Sequence, residues 1–583
     1  MARSETRSTI NPLGNRTSWR VWQAVVILLP VASALVFAFV YPRAYSIYAI
    51  DIEADYYYNG RLAALGYGIE GTYHPGTPIY MLSGLLLRIV GVDIEHTQLF
   101  FTLGYVLVGL FTSACAYGAF HLLASTTRPG AAIWSVAAVL AWPPAIGYLN
   151  YWGADSFLPG LVLIVVGLFW RALHLATSMR VAQLGAILGL LTAVKLTALP
   201  LVMGVSVGLW VDASVRHSAR VAIQNGALLA GVGAASFALL TLPVLDHMPG
   251  VLYRWGLWMV PYVEKVVAAP FLVLGATGAP AWAVPVVGAA ALMVLFLALN
   301  VLIRKRRALT TGATDRTRLV PEPAAVLSFL MCTGGFWLLI VVRGIVDGDG
   351  WVGFRLATPS AAALSVAVLA IGTSRLRQLR LSGLAAAGSV VLILLSVVLH
   401  GRERHDAIQK AERHEALYLE VLDGQRGEAR TAFWIPGFEG RYGKAAFHFR
   451  GNYHYGIETF DADLLKYFPD VTFLRLQQIV GRSDLPEATV ADGTVEAVDE
   501  WLRSSQGSDY FWPLDRPYVG YEEGAKVASL MTPLPVWTDK STAPPQKIDH
   551  FLEPLFGPLS SDTLHIGQEK WIVWDILSSD SLR

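Results

Sequence analysis

Runs of about twenty apolar residues, separated by short polar connections, recur through the first 400 positions and are missing from positions 401–583. A helix needs about 20 predominantly apolar residues to cross a ~30 Å hydrocarbon core. The pattern therefore predicts a polytopic α-helical membrane domain over 1–400, followed by a soluble α/β domain over 401–583. The runs lie near 22–42, 99–124, 132–149, 157–175, 220–245, 281–303, 324–342, 355–372 and 383–400. A further run, 181–211, carries Lys195 at its middle. A lone ammonium at the bilayer centre costs at least ~2.5–3.5 kcal/mol, which predicts a break there and two short helices in place of one span. Short helices are acceptable where they line a cavity that water or headgroups enter. Residues 76–90, "GTPIYMLSGLLLRIV", are brief and hold Arg88, and predict an interfacial or partly inserted helix. In the tail, a charged helical pattern over 402–424 gives way to aromatic-rich runs such as "TAFWIPGF" and "WIVWDIL", broken by Pro and Gly, which read as strands.

Composition agrees with the pattern. The chain is 583 residues long, 54% hydrophobic and 15% charged, against about 25% charged for a soluble protein. The net charge of +1 conceals an asymmetry: positions 1–400 hold 26 Lys and Arg against 15 Asp and Glu, and the tail holds 19 against 29. Basic loops mark the cytoplasmic side of a membrane protein. With two helices across 181–211, the arginines at 3–20, 128, 171–180 and 216–220, the "RKRR" of 304–307 and the "SRLRQLR" of 374–380 all fall on one side. That count gives about 11 spans, a cytoplasmic N-terminus, an extracytoplasmic tail and a first external loop over 43–98. Residues 22–42 read as a retained signal anchor. Both cysteines, Cys115 and Cys332, lie in apolar runs, which excludes a disulfide framework or a cysteine metal site.

The external loops hold the candidate chemistry. The first opens with "DIEADYYYNG", in which Asp51, Glu53 and Asp55 alternate and Tyr56, Tyr57 and Tyr58 follow at headgroup level. Extended, the three acids face one way; helical, Asp51 and Asp55 share a face. Unit charges ~4 Å apart repel by about 4 kcal/mol at an effective dielectric near 20. Water, a cation, a basic partner or protonation must relieve them, and a carboxylate so placed suits a general base. The same loop contains a His74-Pro75-Gly76 turn. The second external loop, "NYWGADSF", contains Asp155 as its sole carboxylate, either a helix N-cap or a site residue. Lys195 has no carboxylate in its own segment, so it pairs elsewhere with an anion or snorkels to the interface. Arg343 and Arg355 flank "GIVDGDGWVGF", where they pair with Asp347 and Asp349 or meet an anion.

The order of these features resembles the GT-C superfamily, multi-span glycosyltransferases that use polyprenyl-phosphate-linked sugars and include protein mannosyltransferases, aminoarabinose transferases and oligosaccharyltransferases. The "DYYYNGRLAALG" run resembles their first-loop motif and "GADSFLPGLVLIV" the second-loop motif of oligosaccharyltransferases. "GLLTAVKLTALP" and "FRLATPSAAAL" look like further stretches common in these enzymes. The acids here alternate, where mannosyl- and aminoarabinose transferases have adjacent Asp-Glu. Ser156 stands where oligosaccharyltransferases have a second acid, and the tail lacks Trp-Trp-Asp.

The resemblance implies an inverting transfer of a sugar from a polyprenyl phosphate to a glycan, lipid or protein acceptor, on the outer face of a bacterial plasma membrane. Asp55 is the first choice for the base, with Asp51 and Glu53 behind it. Asp155 orients the acceptor or completes a metal site with Asp55. Lys195, His74, Arg355 and Arg343 are candidates for the donor phosphate, and Tyr56, Tyr57 and Tyr58 for acceptor or lipid contact. Hard oxygen ligands suit Mg²⁺ or Mn²⁺, and members of the superfamily differ in needing a metal, so the cofactor stays open. The competing class is a transporter or flippase of a lipid-linked substrate. Such proteins commonly show paired repeats with midplane sites, and this sequence has no evident repeat.

Overall fold

A computed structural model describes residues 14–40, 53–69, 76–142, 151–174, 177–244, 323–335 and 358–374. In the tail it describes 431–434, 458–467, 471–479, 511–519, 527–533, 559–566 and 569–576, together with scattered positions elsewhere. The chain divides into two compact units. The first comprises Met1–Pro42, Asn59–Gly91 and Leu99–Arg402; the second comprises Arg43–Tyr58, Val92–Gln98 and Glu403–Arg583. The sequence reading drew one boundary at 400 and kept the whole first loop with the membrane domain. The structural division groups both ends of that loop with the tail.

The first unit is helical. Among the described residues, five helices are long and apolar enough to cross a membrane: Arg20–Val40, Ile94–Ala124, Ala154–His174, Leu196–Arg216 and Ala219–Leu240. Shorter apolar helices span Thr77–Val90, Pro129–Leu140, Ser178–Val194, Pro323–Gly334 and Thr358–Ala370. The expected run at 281–303 lies outside the described residues and 383–400 is described only in part, so the count of eleven extends beyond what is described. The helix Ala154–His174 is the hub: 89% of its apolar window is enclosed by protein, against 6% for Ala219–Leu240. Hydropathy alone does not separate these two environments, because lipid and protein interior are equally apolar.

Close helix contacts are made where side chains are small. Ser178–Val194 packs on Ala219–Leu240 through Gly185 and Gly189, where an added Cβ would collide with the Leu229 and Gly233 carbonyl oxygens. Ser236 reinforces the seam by donating its hydroxyl to the Ala186 carbonyl at 2.9 Å. Without a hydrophobic drive between helices in lipid, such small-residue contacts and interhelical hydrogen bonds supply the association. On the hub helix itself, Phe169 stacks on Phe329 at 4.6 Å, over a gap left by Gly208.

The second unit contains a six-stranded mixed sheet among its described residues. Its strands are β1 (Thr431–Trp434), β2 (Val471–Ile479), β3 (Phe511–Val519), β4 (Val527–Pro533), β5 (Leu559–Ile566) and β6 (Glu569–Ile576), in the order β3-β2-β1-β4-β6-β5. β1 runs parallel to β2 and β4, and the remaining pairs are antiparallel. Parallel neighbours need a crossover, and the helix Glu458–Tyr467 lies in the one between β1 and β2. Pro513 and Pro517 fall in the edge strand β3, where a missing N–H is tolerated.

Candidate functional site

The second-loop acid stands at the start of the hub helix. Asp155 is the second residue of Ala154–His174, so its carboxylate meets the positive end of the helix dipole. The preceding turn is locked. Ser156 donates its hydroxyl to the Tyr151 carbonyl at 2.7 Å and its amide to Gly153 O at 3.1 Å. Trp152, wholly buried, donates its indole N–H to Ser83 at 2.7 Å and meets Phe100 and Phe157 edge-on at 5.4 and 5.7 Å. Gly104 makes room for that indole, since an added Cβ would lie 2.6 Å from it.

Lys195 ends the helix Ser178–Val194. Its own residue is extended (φ −155°, ψ 121°), a short 3₁₀ turn Leu196–Ala198 follows, and Leu199–Arg216 resumes the α-helix. The run thus breaks where the misplaced ammonium predicts. A cation at a helix C-terminus and an anion at a helix N-terminus both complement their dipoles, and here the two meet: Lys195 Nζ is 2.8 Å from Asp155 Oδ1 and 2.9 Å from Oδ2. The residues are 7% and 5% exposed. At that range the attraction is about 6 kcal/mol for an effective dielectric of 20, set against the cost of desolvating both groups. Thr197, two residues on, has a buried hydroxyl with no hydrogen-bond partner among the described residues.

The first-loop acids occupy the opening turn of the helix Glu53–Leu65. Of Glu53–Gly60, Asp55 alone keeps partial exposure, and Glu53 is 2% exposed. The three tyrosines are buried. Tyr57 shares a hydrogen bond of 2.8 Å with Thr97, and Tyr58 packs edge-on against Phe460 at 4.9 Å, a use of the rings that the sequence reading did not assign. The helix stops where Gly66 takes φ 90°, a conformation that favours glycine. Arg88, on the helix Thr77–Val90 expected at the interface, donates to the Ala63 carbonyl at 3.2 Å near that end. Gly60 and Gly84 let these two helices touch backbone to backbone. Asp51, His74, Arg343 and Arg355 lie outside the described residues.

Sequence reasoning brought Asp155 and Lys195 forward separately and did not pair them. It passed over Trp152, Thr197 and Arg61, a guanidinium 1% exposed on the first-loop helix. The available signal for the last was its place inside the "DYYYNGRLAALG" run, since charged groups within a membrane domain are rare and paired. As a metal centre the described donors fit poorly. Both Asp155 oxygens already face an ammonium, and no three His, Cys, Asp or Glu side chains gather among the described residues. The arrangement offers instead a fixed, buried cation held by a carboxylate, and, described separately, a carboxylate with solvent access at a helix N-terminus.

No family model matches the chain, and no curated protein does. Among solved structures it is similar to the apo oligosaccharyltransferase of Archaeoglobus fulgidus, with 12% identity and a TM-score of 0.39 over 92% of this chain and 71% of that one. It is also similar to the oligosaccharyltransferase AglB of the same organism in complex with an inhibitory peptide and dolichol-phosphate (11%, 0.38, 96% and 75%). A third is ArnT of Cupriavidus metallidurans bound to undecaprenyl phosphate (12%, 0.40, 95% and 98%). The likeness is remote in both sequence and geometry.

Proposed function

We propose that this chain is a membrane glycosyltransferase that moves a sugar from a polyprenyl phosphate to an acceptor on the non-cytoplasmic face. The observation that carries the reading is the buried Asp155–Lys195 pair at a helix break. An ammonium within a membrane domain marks a functional site by default, and a broken helix is tolerated at that depth where it lines a cavity. The buried Thr197 hydroxyl, two residues on and without a hydrogen-bond partner among the described residues, is a further group that a phosphate oxygen could meet beside the Lys195 charge.

In this reading the leaving phosphate is steadied by Lys195, whose charge is preorganised by Asp155 before the donor arrives. His74, Arg343 and Arg355 remain proposed as further phosphate contacts. Asp55 takes the acceptor proton: it is the half-exposed member of its turn, whereas Glu53 is enclosed, and a base must reach its proton. Asp155 serves as an orienting group. As the sugar–phosphate bond breaks, the developing oxocarbenium centre is met by the acceptor oxygen as its proton passes to Asp55.

The test is transfer by purified protein in liposomes supplied with a polyprenyl-phosphate sugar. Folded Asp55→Asn should lose at least about 100-fold in transfer rate. Movement of an intact lipid-linked sugar across the bilayer, with no glycosidic bond exchanged and no effect of that substitution, would overturn the enzyme in favour of a flippase.

A further inference from the structure

The acid-bearing turn is held within the second unit by three contacts that close on one another. The tail helix Glu458–Tyr467 meets the entry of the first loop through Phe460 and Tyr58, with ring centres 4.9 Å apart. The same helix meets the exit of that loop through an ion pair between Lys466 and Glu95. Entry and exit are joined to each other by the Tyr57–Thr97 hydrogen bond at 2.8 Å. Three bodies linked pairwise form a triangle, which cannot shear as two linked bodies can.

The triangle bears on the acids because Tyr57 and Tyr58 ride on the helix that carries Glu53 and Asp55. Successive residues on a helix point about 100° apart, so two adjacent anchored rings stop the helix from turning about its axis. The Tyr57 and Tyr58 rings also brace one another edge-to-face at 5.1 Å. A rotation of the helix would swing Asp55, three residues before Tyr58, away from whatever it addresses. Phe460 is 1% exposed, so its ring has no room to follow such a movement.

We infer that the helix Glu458–Tyr467 is a clamp that sets the aim of the first-loop acids, with Phe460 and Lys466 as positioning residues for Asp55 acting through Tyr58 and Glu95. The inference rests on the reading of Asp55 as the base. It gives the tail a part in the chemical step itself.

The experiment uses the full chain in liposomes with two readouts. Phe460→Ala should lower kcat for sugar transfer by about 10- to 100-fold, as small misplacements of a reacting group do, while KM for the donor stays unchanged. It should also raise amide hydrogen exchange in the peptide covering 53–65, and Phe460→Leu, which keeps an apolar filler, should recover much of both. A wild-type rate together with wild-type exchange in folded Phe460→Ala would overturn the clamp. If even the wild-type protein transfers no sugar, the base reading fails, and exchange over 53–65 still decides whether the clamp exists. Should Phe460→Ala fail to fold, E95C/K466C in a chain lacking Cys115 and Cys332 decides instead. The inference expects a short bis-thiol crosslinker, which spans more than the ~7 Å that a direct disulfide allows between Cα atoms, to join the two cysteines and leave transfer intact, and failure to crosslink would overturn it.

Discussion

Two carboxylates of this protein stand in the same local position, the first turn of a helix, and are treated in opposite ways. Asp155 is enclosed and answered by an ammonium across both of its oxygens. Asp55 keeps partial exposure among enclosed neighbours. The helix terminus stabilises either anion by a few tenths to one kcal/mol, so the difference between them comes from tertiary surroundings. A carboxylate locked to a buried cation is suited to hold that cation in place; one reached by solvent is suited to exchange a proton.

The most damaging substitution should be Lys195→Ala, which takes the ammonium away from a buried carboxylate. Losing one partner of a buried pair costs about 3–5 kcal/mol, measurable as reduced resistance to thermal or denaturant unfolding in detergent. Replacing both partners together (Asp155→Leu with Lys195→Met) should return most of that stability and none of the transfer activity. A double variant as unstable as Lys195→Ala would break the view that pairing is the issue.

Next in size is Asp155→Asn, which leaves Lys195 with a neutral partner. Folded protein should show a drop in transfer and weaker retention of a polyprenyl phosphate, measured by binding of the lipid phosphate alone. Glu53→Gln sharpens the comparison from the other side. Glu53 is enclosed, so its loss should lower stability more than the rate of transfer, the reverse of Asp55→Asn. Equal effects of the two on rate would erase the distinction drawn from exposure. The smallest effect belongs to Ser83→Ala, which takes the acceptor from the Trp152 N–H and leaves the packing of the ring in place. About 1–3 kcal/mol of stability should go with the unmet buried donor, read by the same unfolding measurement.

The sequence made the membrane half and its break legible for a physical reason. A charge inside an apolar run cannot be ignored by the backbone, so Lys195 announced the end of its helix. Its partner was hidden because the search for an anion stayed within one segment, whereas Asp155 lies forty positions away and arrives by tertiary packing. The tyrosine triplet was ambiguous in the same sense: amphipathic rings suit a headgroup layer and a protein interior equally, and here they are enclosed. The helix Glu53–Leu65 gives little apolar periodicity to read, because its Tyr, Asn, Gly and Arg are enclosed on several sides. In the tail, "TAFW" and "WIVWDI" were readable as strands, but their order in the sheet depends on distant partners, such as Ala432 of β1 beside Ser529 of β4, which no local pattern encodes.

The glycine seam of Ser178–Val194 has a consequence for charge. At Gly185 and Gly189 that helix rests on neighbouring carbonyls with no side chain between, so its height in the bundle is registered the way a notch registers a ruler. The lysine caps the same rod six residues beyond the second notch. A bulkier residue at either glycine would lift the rod, and an ion pair of under 3 Å has little slack to absorb the shift. Two residues that carry no functional group thus calibrate the depth at which a charge is delivered inside the membrane.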